Sequence, residues 1–324
     1  MCDALHNLTR QDIGTCGFDV PLRHHSWWRI GGPADLLVEP GSIAQVQTLM
    51  RELHRLDLPF VVIGDGSNLL FDDAGVRGVV VKIGRRLSRW SIQDQWITAE
   101  AGAFVPRLIR RIGAAGLSGL EHAIGIPGTL GGLVLMNGGS MRQGVGSHVD
   151  RVWAVDWEGA LKEYDHAACC FAYRHSALHQ EKVVVVRVRL HCLPGDRKGI
   201  RREMLRILRS RRHKFPLKLP NCGSVFLSDP SLYETIGPPG KIIEDYGFKG
   251  YRVGDAMIPE IHANFIVNLG AASSADVLSI IRTVRQTVYQ RSGFMLQCEV
   301  RYVAPDCRIM PAQQLFDEMQ ISFT

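Results

Sequence analysis

The sequence lacks any run approaching the roughly eighteen consecutive apolar residues that a membrane-spanning helix needs. Its first residues, Met-Cys-Asp-Ala-Leu-His, contain no basic region followed by an apolar core, so no signal peptide is predicted. The eight cysteines form no CxxC pair and no histidines stand at zinc-finger spacing, so no metal is expected. Together these absences predict a cytoplasmic protein whose thiols stay free.

A strong charge of one sign is also absent. Lys and Arg number 38 against 32 Asp and Glu, and the net charge of +6 is scattered apart from a basic cluster at 201–218. No basic stripe suits a nucleic-acid backbone, whereas a local patch suits a phosphorylated small ligand. With 324 residues, 46% of them hydrophobic and 22% charged, the chain is predicted to be globular with two or three domains.

Hydrophobic periodicity predicts a chain of mixed helices and strands that opens as strand 35–39, helix 43–56 and strand 59–63. Further predicted elements are strands at 78–83, 96–100, 182–190 and 296–303, helices at 105–115, 200–213 and 275–290, and an extended linker at 217–220. We place a domain boundary near Arg201 and expect a tail of uncertain order from Pro305 onward.

The first glycine motif is Gly64-Asp65-Gly66-Ser67-Asn68-Leu69, directly after the strand at 59–63. A concave turn there would present main-chain N–H groups, with Ser67 and Asn68 as further donors, to phosphate oxygens. The motif is neither a P-loop nor a GxGxxG fingerprint before a helix. Taken alone, such a turn is structural about as often as it is a ligand site, so both interpretations stay open.

The second glycine motif runs over 125–132 as GIPGTLGG and continues at 136–139 as MNGG. Glycine has no Cβ atom, so this concentration is typical of main chain that lies against a planar group or a phosphate. The alternative is tight packing between a helix and a strand. Two such loops in one chain favour a ligand.

Six further motifs accompany these loops: RIGGPAD at 29–35, GLSGLE at 116–121, YRHS at 173–176, PNCGSVF at 220–226, HANFIVN at 262–268 and CEV at 298–300. In this order, from about Ser26 to Val303, they resemble the enolpyruvylglucosamine reductases of the vanillyl-alcohol-oxidase superfamily. The resemblance implies an α+β fold with two FAD-binding subdomains at 1–88 and 89–200, a C-terminal substrate-binding domain at 201–304 and a tail at 305–324.

The same resemblance implies a bound FAD, NADPH as co-substrate and a UDP-sugar substrate, UDP-N-acetylglucosamine enolpyruvate, which is reduced to UDP-N-acetylmuramate. It implies a monomer without a nucleic-acid or membrane partner. The cofactor-binding residues that it implies are Gly64, Asp65, Gly66, Ser67, Asn68, Leu69, Gly125, Gly128, Thr129, Gly131, Gly132 and Asn137.

Three residues match the catalytic positions of that family. Arg174 matches an arginine whose permanently charged guanidinium stabilises an enolate-like species, and Ser224 matches the residue that gives a proton to carbon. Glu299 matches an acid that acts with the arginine, and burial in an apolar strand would have to raise its pKa. Without the motifs, the three would be taken for a surface ion pair, a turn serine and an outward-facing strand residue.

Four residues are predicted to contact the substrate: Tyr173, Lys214, Asn221 and His262. Lys214 resembles a family lysine but equally suits the exposed end of a basic helix. Tyr173 either contacts the substrate or packs beside Arg174. Asn221 and His262 lie inside matched motifs and are expected in the wall of the site.

The chain departs from the family pattern at a few positions. Asp65 stands where glycine is frequent, Pro259 stands where a small polar residue is common, and the loop at 227–239 is longer than usual. The segment between Ser176 and Lys182 is too short for the substrate-covering loop of one branch, so the chain resembles the shorter, second branch.

Two rival functions remain. The first is another flavin enzyme of the superfamily, such as an oxidase that uses molecular oxygen, and the joint presence of Arg174, Ser224 and Glu299 argues against it. The second is a catalytically silent nucleotide-binding paralogue, which the departures at Asp65 and Pro259 make conceivable.

Overall fold

The computed structural model describes residues 2–228 and 236–321, which divide into two compact units. Of the described residues, the first unit contains 2–18, 36–65 and 78–211, and the second contains 19–35, 66–77, 212–228 and 236–321. The helices are α1 Cys2–Leu8, α2 Ile43–Arg55, α3 Val105–Ala114, α4 Leu130–Leu135, α5 Arg197–Lys214, α6 Pro239–Asp245, α7 Ser274–Ser292 and α8 Gln314–Ile321.

The strands β1 to β10 precede residue 145. They are β1 Thr15–Pro21, β2 Pro33–Glu39, β3 Phe60–Ile63, β4 Leu69–Phe71, β5 Val76–Lys82, β6 Trp90–Gln93, β7 Trp96–Glu100, β8 Leu117–Ser118, β9 Gly139–Ser140 and β10 Gln143–Gly144. The later strands are β11 Val149–Asp156, β12 Leu161–Asp165, β13 Val183–His191, β14 Leu193–Pro194, β15 Arg252–Val253, β16 Ala256–Met257, β17 Val267–Asn268, β18 Arg301–Val303 and β19 Ile309–Pro311. Helices and strands thus share the chain, as the predicted α+β class requires.

The first unit is built on a five-stranded sheet of order β12-β11-β13-β7-β6, in which every neighbouring pair is antiparallel. The central strand β13 is rich in β-branched valine, which favours the pleated conformation. A second sheet of order β1-β2-β5-β3 includes the parallel pair of β3 and β5. Because β3 runs straight into the first glycine motif, this pairing fixes where the motif begins.

The second unit packs α7 over short strands. The helix begins at a capping box, in which Ser273 accepts from the backbone N–H of Asp276 while the Asp276 carboxylate accepts from that of Ser273. It ends at Gly293, whose φ of 74° is left-handed. Sheets of order β15-β16-β17 and β19-β18-β4 belong to the same unit. The latter sheet places β4, which follows the first glycine motif, parallel to β18.

Trp28 joins the early segment 19–35 to residues 266–268 through hydrogen bonds. This side chain is fully buried, and its Nε1 donates to the carbonyl oxygen of Ile266 at 2.7 Å. In return, Nδ2 of Asn268 donates to the Trp28 carbonyl oxygen at 2.9 Å. These long-range bonds explain why an early segment belongs to the second unit.

Most predicted elements are confirmed with small shifts of their ends. The predicted strand 296–303 is wrong over its first half: only Arg301–Val303 is a strand, because Cys298 makes a single bridge to Phe226 and the chain bends at 299–300. The predicted extended linker at 217–220 is a turn, in which Leu219 N donates to the Pro216 carbonyl oxygen at 3.2 Å.

The segment predicted as a tail contains β19 and α8. Met310 and Ala312 in this segment are buried, so it contributes apolar surface to the second core. The predicted domain limits at 88, 200 and 304 stay a prediction, and the middle of the loop predicted at 227–239 lies outside the described residues.

Candidate functional site

The first glycine motif is shared between the two units. Gly64 and Asp65 belong to the first, and 66–69 to the second. Gly66 has φ of 66°, and a Cβ atom there would lie within 3.0 Å of the His25 carbonyl oxygen. Position 66 therefore needs glycine because the His25 carbonyl group packs against it and because its backbone is left-handed.

Within the first unit, the two glycine motifs meet. A Cβ atom on Gly64 would lie under 3.0 Å from Oγ1 of Thr129, in the second motif. Thr129 is buried, and its Oγ1 accepts from the backbone N–H of Gly132 at 3.4 Å, at the start of α4. The fold thus brings Gly64 of the first motif against Thr129 of the second, although the two are far apart in sequence.

The second motif is bound to the segment after β7. Gly131 N donates to the Ala101 carbonyl oxygen at 2.7 Å, and Leu130 N donates to that of Ala103 at 2.9 Å. Added Cβ atoms would lie within 3.0 Å of Ala101 at Gly131 and of the Arg211 side chain at Gly125. At Gly132, which is exposed, an added Cβ would lie at an ordinary 3.5 Å from Oγ1 of Thr129. Protein packing therefore accounts for Gly125 and Gly131, whereas it does not account for Gly132, and contact of Gly132 with a ligand stays a prediction.

Asn137 joins the second motif to the predicted catalytic arginine. Its Nδ2 donates to the Ala172 carbonyl oxygen at 2.8 Å, and its Oδ1 accepts from Gly146 N at 2.8 Å. Ala172 and His175 exchange two backbone hydrogen bonds of 3.0 and 3.1 Å across a tight turn. The amide side chain therefore holds one end of the turn that carries Arg174.

Arg174 occupies the third position of that turn with φ of 52°, an uncommon conformation for a residue with a side chain. Its Nη2 donates to the Gly139 carbonyl oxygen at 3.3 Å. The neighbouring Tyr173 is 54% exposed, and the Arg174 guanidinium carbon lies 5.3 Å from its ring centroid. The fold thus confirms that Tyr173 lies beside Arg174 and leaves much of its ring accessible.

The second unit brings Ser224 and Glu299 onto neighbouring segments. Glu299 N donates to the Val225 carbonyl oxygen at 2.8 Å, and Leu227 N donates to that of Gln297 at 2.8 Å. Both predicted catalytic side chains are half-buried. Glu299 lies at a bend rather than inside a strand, so the strand environment expected for it is wrong, and its raised pKa stays a prediction.

Asn68 of the first motif joins the same cluster. Its Nδ2 donates to the Glu299 carbonyl oxygen at 3.0 Å, and its own carbonyl oxygen accepts from Arg301 N at 3.0 Å. The buried Cys222 thiol donates to the carbonyl oxygens of Gly66 at 3.6 Å and Leu69 at 3.5 Å. Three motifs that are distant in sequence therefore meet here: residues 66–69, 221–224 and 298–300.

Asn264 supports this cluster from the HANFIVN motif. It is buried, and its side-chain amide pairs with the Phe226 main chain through two hydrogen bonds of 2.9 Å. Its backbone N–H donates to Nδ1 of His262 at 3.2 Å, and burial holds the pKa of that histidine below its usual value. The imidazole also packs against the rings of Phe215 and Phe265 at centroid distances of 5.4 and 4.9 Å. His262 is therefore held in a fixed orientation, and its place in the wall of the site stays a prediction.

The other predicted substrate contacts belong to the same unit. Asn221 shapes the turn before Ser224, because its Oδ1 accepts from Gly223 N at 3.0 Å and its Nδ2 donates to the Leu219 carbonyl oxygen at 2.8 Å. Lys214 is the exposed last residue of α5. The turn role of Asn221 is structural, and contact of either residue with a substrate stays a prediction.

Sequence reasoning missed Arg301. Its Nε is buried and has no hydrogen-bond partner among the described residues, and burial lowers the pKa of its guanidinium. It stands beside the first glycine motif, since Arg301 pairs with Leu69 and its backbone N–H donates to the Asn68 carbonyl oxygen. A guanidinium nitrogen left without a partner there fits an anionic ligand such as the pyrophosphate of FAD. No sequence signal separates Arg301 from an ordinary strand arginine.

The described residues contain no group of three or more His, Cys, Asp or Glu placed to hold a metal ion. No helix in 2–228 or 236–321 combines the length and apolar character needed to cross a membrane.

Comparison with known proteins gives consistent matches. Residues 34–165 match the model of an FAD-binding domain, and 215–303 match that of the UDP-N-acetylenolpyruvoylglucosamine reductase C-terminal domain. The chain is 47% identical over 300 residues to UDP-N-acetylenolpyruvoylglucosamine reductase 1 of Corynebacterium glutamicum, covering 93% of this chain and 90% of the relative. It is 43% identical over 296 residues to the reductase of Heliobacterium modesticaldum, covering 91% and 93%.

A solved structure agrees with these sequence matches. The crystal structure of UDP-N-acetylenolpyruvylglucosamine reductase from Thermus caldophilus superposes with a TM-score of 0.75 at 32% identity. The superposition covers 87% of this chain and 97% of that one. The similarity therefore extends over fold and sequence together.

Proposed function

The chain belongs to the UDP-N-acetylenolpyruvoylglucosamine reductase family, and we propose that Arg174, Ser224 and Glu299 perform the chemistry of that family here. It is an FAD-dependent oxidoreductase of peptidoglycan precursor synthesis, with NADPH as co-substrate. It reduces UDP-N-acetylglucosamine enolpyruvate to UDP-N-acetylmuramate. When bound, FAD supplies the hydride from its N5 atom.

The observation that carries the residue assignment is the meeting of three motifs in the second unit. Asn68 fixes the Glu299 main chain, and Glu299 N in turn is bonded to Val225, next to Ser224. A serine hydroxyl is a weak acid, so it protonates carbon only when a strongly basic centre is held against it. A fixed, half-buried Ser224 meets that requirement better than a mobile loop serine would.

Arg174 is assigned to the negative charge that develops on the enolpyruvyl carboxylate and the adjacent carbon. The guanidinium donates to the Gly139 carbonyl oxygen, and Asn137 holds the turn that carries Arg174 by donating to the Ala172 carbonyl oxygen. These contacts pre-organise the side chain for that task. Glu299 is assigned as a hydrogen-bond donor or proton relay at the same centre. The donor role requires a protonated carboxyl group when the substrate is bound.

The remaining assignments concern ligands and setting. Tyr173, Lys214, Asn221 and His262 are proposed to contact the UDP-sugar substrate, and the two glycine motifs with Asn137 to contact FAD. The protein is proposed to act as a cytoplasmic monomer without a nucleic-acid or membrane partner. The scattered charge and the absence of a basic stripe support this last point.

Two half-reactions test the function. Purified protein is expected to show a flavin spectrum that bleaches with NADPH and returns under anaerobic conditions on addition of UDP-N-acetylglucosamine enolpyruvate. Rapid return in air with an alcohol and no response to the enolpyruvyl substrate would favour the rival oxidase. A spectrum that never responds to either reagent would favour the silent paralogue.

Variants test the residues separately. Ser224→Ala is expected to bleach with NADPH at the normal rate but to slow the return with substrate by about 10²–10⁴-fold, the usual size of a general-acid contribution. Arg174→Ala is expected to impair the same half-reaction, while the exposed controls Ser279→Ala and Arg110→Ala keep both rates. Full turnover in Ser224→Ala or Arg174→Ala would contradict the assigned role.

A further inference from the structure

Arg301 is a charged side chain that the reaction as assigned does not use. Its Nε is buried without a hydrogen-bond partner among the described residues, and it takes part in none of the ion pairs found there. Burial alone lowers the pKa of the guanidinium, since no carboxylate contributes an opposing effect. A buried guanidinium nitrogen without a hydrogen-bond partner is unfavourable, so this arrangement points to an anion that binds at Nε.

The strand pairing shows which surface Arg301 occupies. In the parallel pair of β18 and β4, Arg301 stands opposite Leu69 and Tyr302 stands opposite Leu70. Residues paired in this way share a face of the sheet, and Tyr302 and Leu70 lie on the buried one. Arg301 and Leu69 are both half-buried on the other. The guanidinium therefore shares its face with the last residue of the first glycine motif.

Main-chain hydrogen bonds fix Arg301 to that motif. Arg301 N donates to the Asn68 carbonyl oxygen at 3.0 Å, and Asn68 Nδ2 donates to the Glu299 carbonyl oxygen at 3.0 Å. The segment 299–301 consequently cannot shift without breaking bonds to the motif. A ligand held by the motif is the nearest source of the missing anion.

We propose that Arg301 is a positioning residue that donates from its buried Nε to an anionic oxygen of the bound FAD. The inference rests on the proposed role of the first glycine motif in binding FAD. The oxygen belongs either to the pyrophosphate or to the N1–C2 carbonyl region of the ring, which becomes anionic on reduction. In both cases the bond is charge-assisted and replaces the water that Arg301 loses on burial.

The test compares Arg301→Met and Arg301→Lys with Arg282→Met, an exposed control in the same unit. Apoprotein is titrated with FAD, and the midpoint potential of the flavin is measured by dye equilibration. If the pyrophosphate is the partner, the FAD dissociation constant of Arg301→Met rises about ten- to a hundredfold, the usual effect of losing a hydrogen bond to a charged group. If the ring is the partner, the potential falls, by about 30 mV for each tenfold loss of preference for the reduced form.

Melting of the apoprotein provides a second readout. Removing an unpaired buried charge is expected to leave the apo melting temperature unchanged or to raise it, while the stabilisation given by FAD shrinks. Arg301→Lys keeps the charge but not the planar donor, so it is expected to be intermediate in FAD affinity or potential.

Three outcomes would overturn the proposal. The first is unchanged FAD affinity together with an unchanged potential in Arg301→Met. The second is an effect confined to the KM of the enolpyruvyl substrate, which would assign the guanidinium to that ligand. The third is an apo melting temperature well below that of Arg282→Met, which would make Arg301 structural. The first and third outcomes are measured without turnover of the enzyme, so failure of the proposed function would be seen separately, in the half-reactions.

Discussion

The contact between the two glycine motifs predicts that Gly64→Ala is harmful because of Thr129. The added Cβ would lie closer than 3.0 Å to Oγ1 of Thr129, and the backbone of Gly64 is not left-handed, so the clash is the main penalty. Overpacking of this kind costs about 1–3 kcal/mol. Thr129→Ala loses a long hydrogen bond to Gly132 N of 3.4 Å, for which about 0.5–1 kcal/mol is expected.

The double variant Gly64→Ala/Thr129→Ala is expected to be more stable than the sum of the two single changes, because the atom that clashes is gone. A coupling energy of about 1–3 kcal/mol should appear in a double-mutant cycle on thermal or urea unfolding of the apoprotein. Gly41→Ala is the matched control, since its Cβ would meet nothing closer than 3.5 Å. Additive effects in the cycle would refute the reasoning and show that Gly64 serves something other than this contact.

Three further predictions follow from single residues. Burial lowers the pKa of His122 from its unfolded value of about 6.5, so the stability that the neutral imidazole contributes is present above about pH 6.5 and is lost as the pH falls through the folded pKa. The variant His122→Leu should therefore show a smaller decrease in apo melting temperature between pH 7.5 and 5.5 than the parent protein, and an equal decrease would contradict this. Burial raises the pKa of the Cys222 thiol to about 12, so native protein at pH 8 should be alkylated at exposed Cys170 and spared at Cys222, as mass spectrometry of the labelled peptides would show. Gly132→Ala should raise the apo melting temperature, because alanine is more favourable than glycine in a helix by up to about 1 kcal/mol. The same variant should bind FAD more weakly, and unchanged FAD affinity would show that Gly132 does not contact the cofactor.

Local chemistry in the sequence was sufficient to predict most of the elements. The apolar spacing and end signals of 43–56 and 275–290 predict helices that the fold contains, and Gly116 and Gly293 stand where helices end. The strand predicted at 296–303 failed because alternating apolar residues look the same whether a segment pairs with a strand or bends between two partners. Only the three-dimensional fold reveals that Cys298 and Arg301 pair with different segments.

The assembly of the second unit lay beyond local reasoning. Nothing in residues 19–35 or 66–77 indicates that they join the C-terminal region, because Trp28 with Ile266 and β4 with β18 are contacts of very long sequence separation. Arg174, Ser224 and Glu299 were identified through resemblance to a family, since composition alone favours an unremarkable role for each. Asn264, Cys222 and Arg301 carried no signal, because their importance comes from burial and from partners that the sequence does not display.

A cluster of glycines in one sequence marks close approach of the main chain, but it does not identify what approaches. At Gly66 the approaching group is the His25 carbonyl, at Gly64 the Thr129 hydroxyl and at Gly125 the Arg211 side chain. These glycines would be needed even if the loops bound nothing, so they report on the architecture that shapes a site rather than on contact with its ligand. Ligand contact is better sought where a Cβ would be tolerated by the protein, as at Gly132, or where a polar group is left without a protein partner, as at Arg301. The residues that contact a cofactor are thus better identified by polar groups without a protein partner, and by glycines without a protein contact that excludes a Cβ, than by the glycines that the packing of the fold requires.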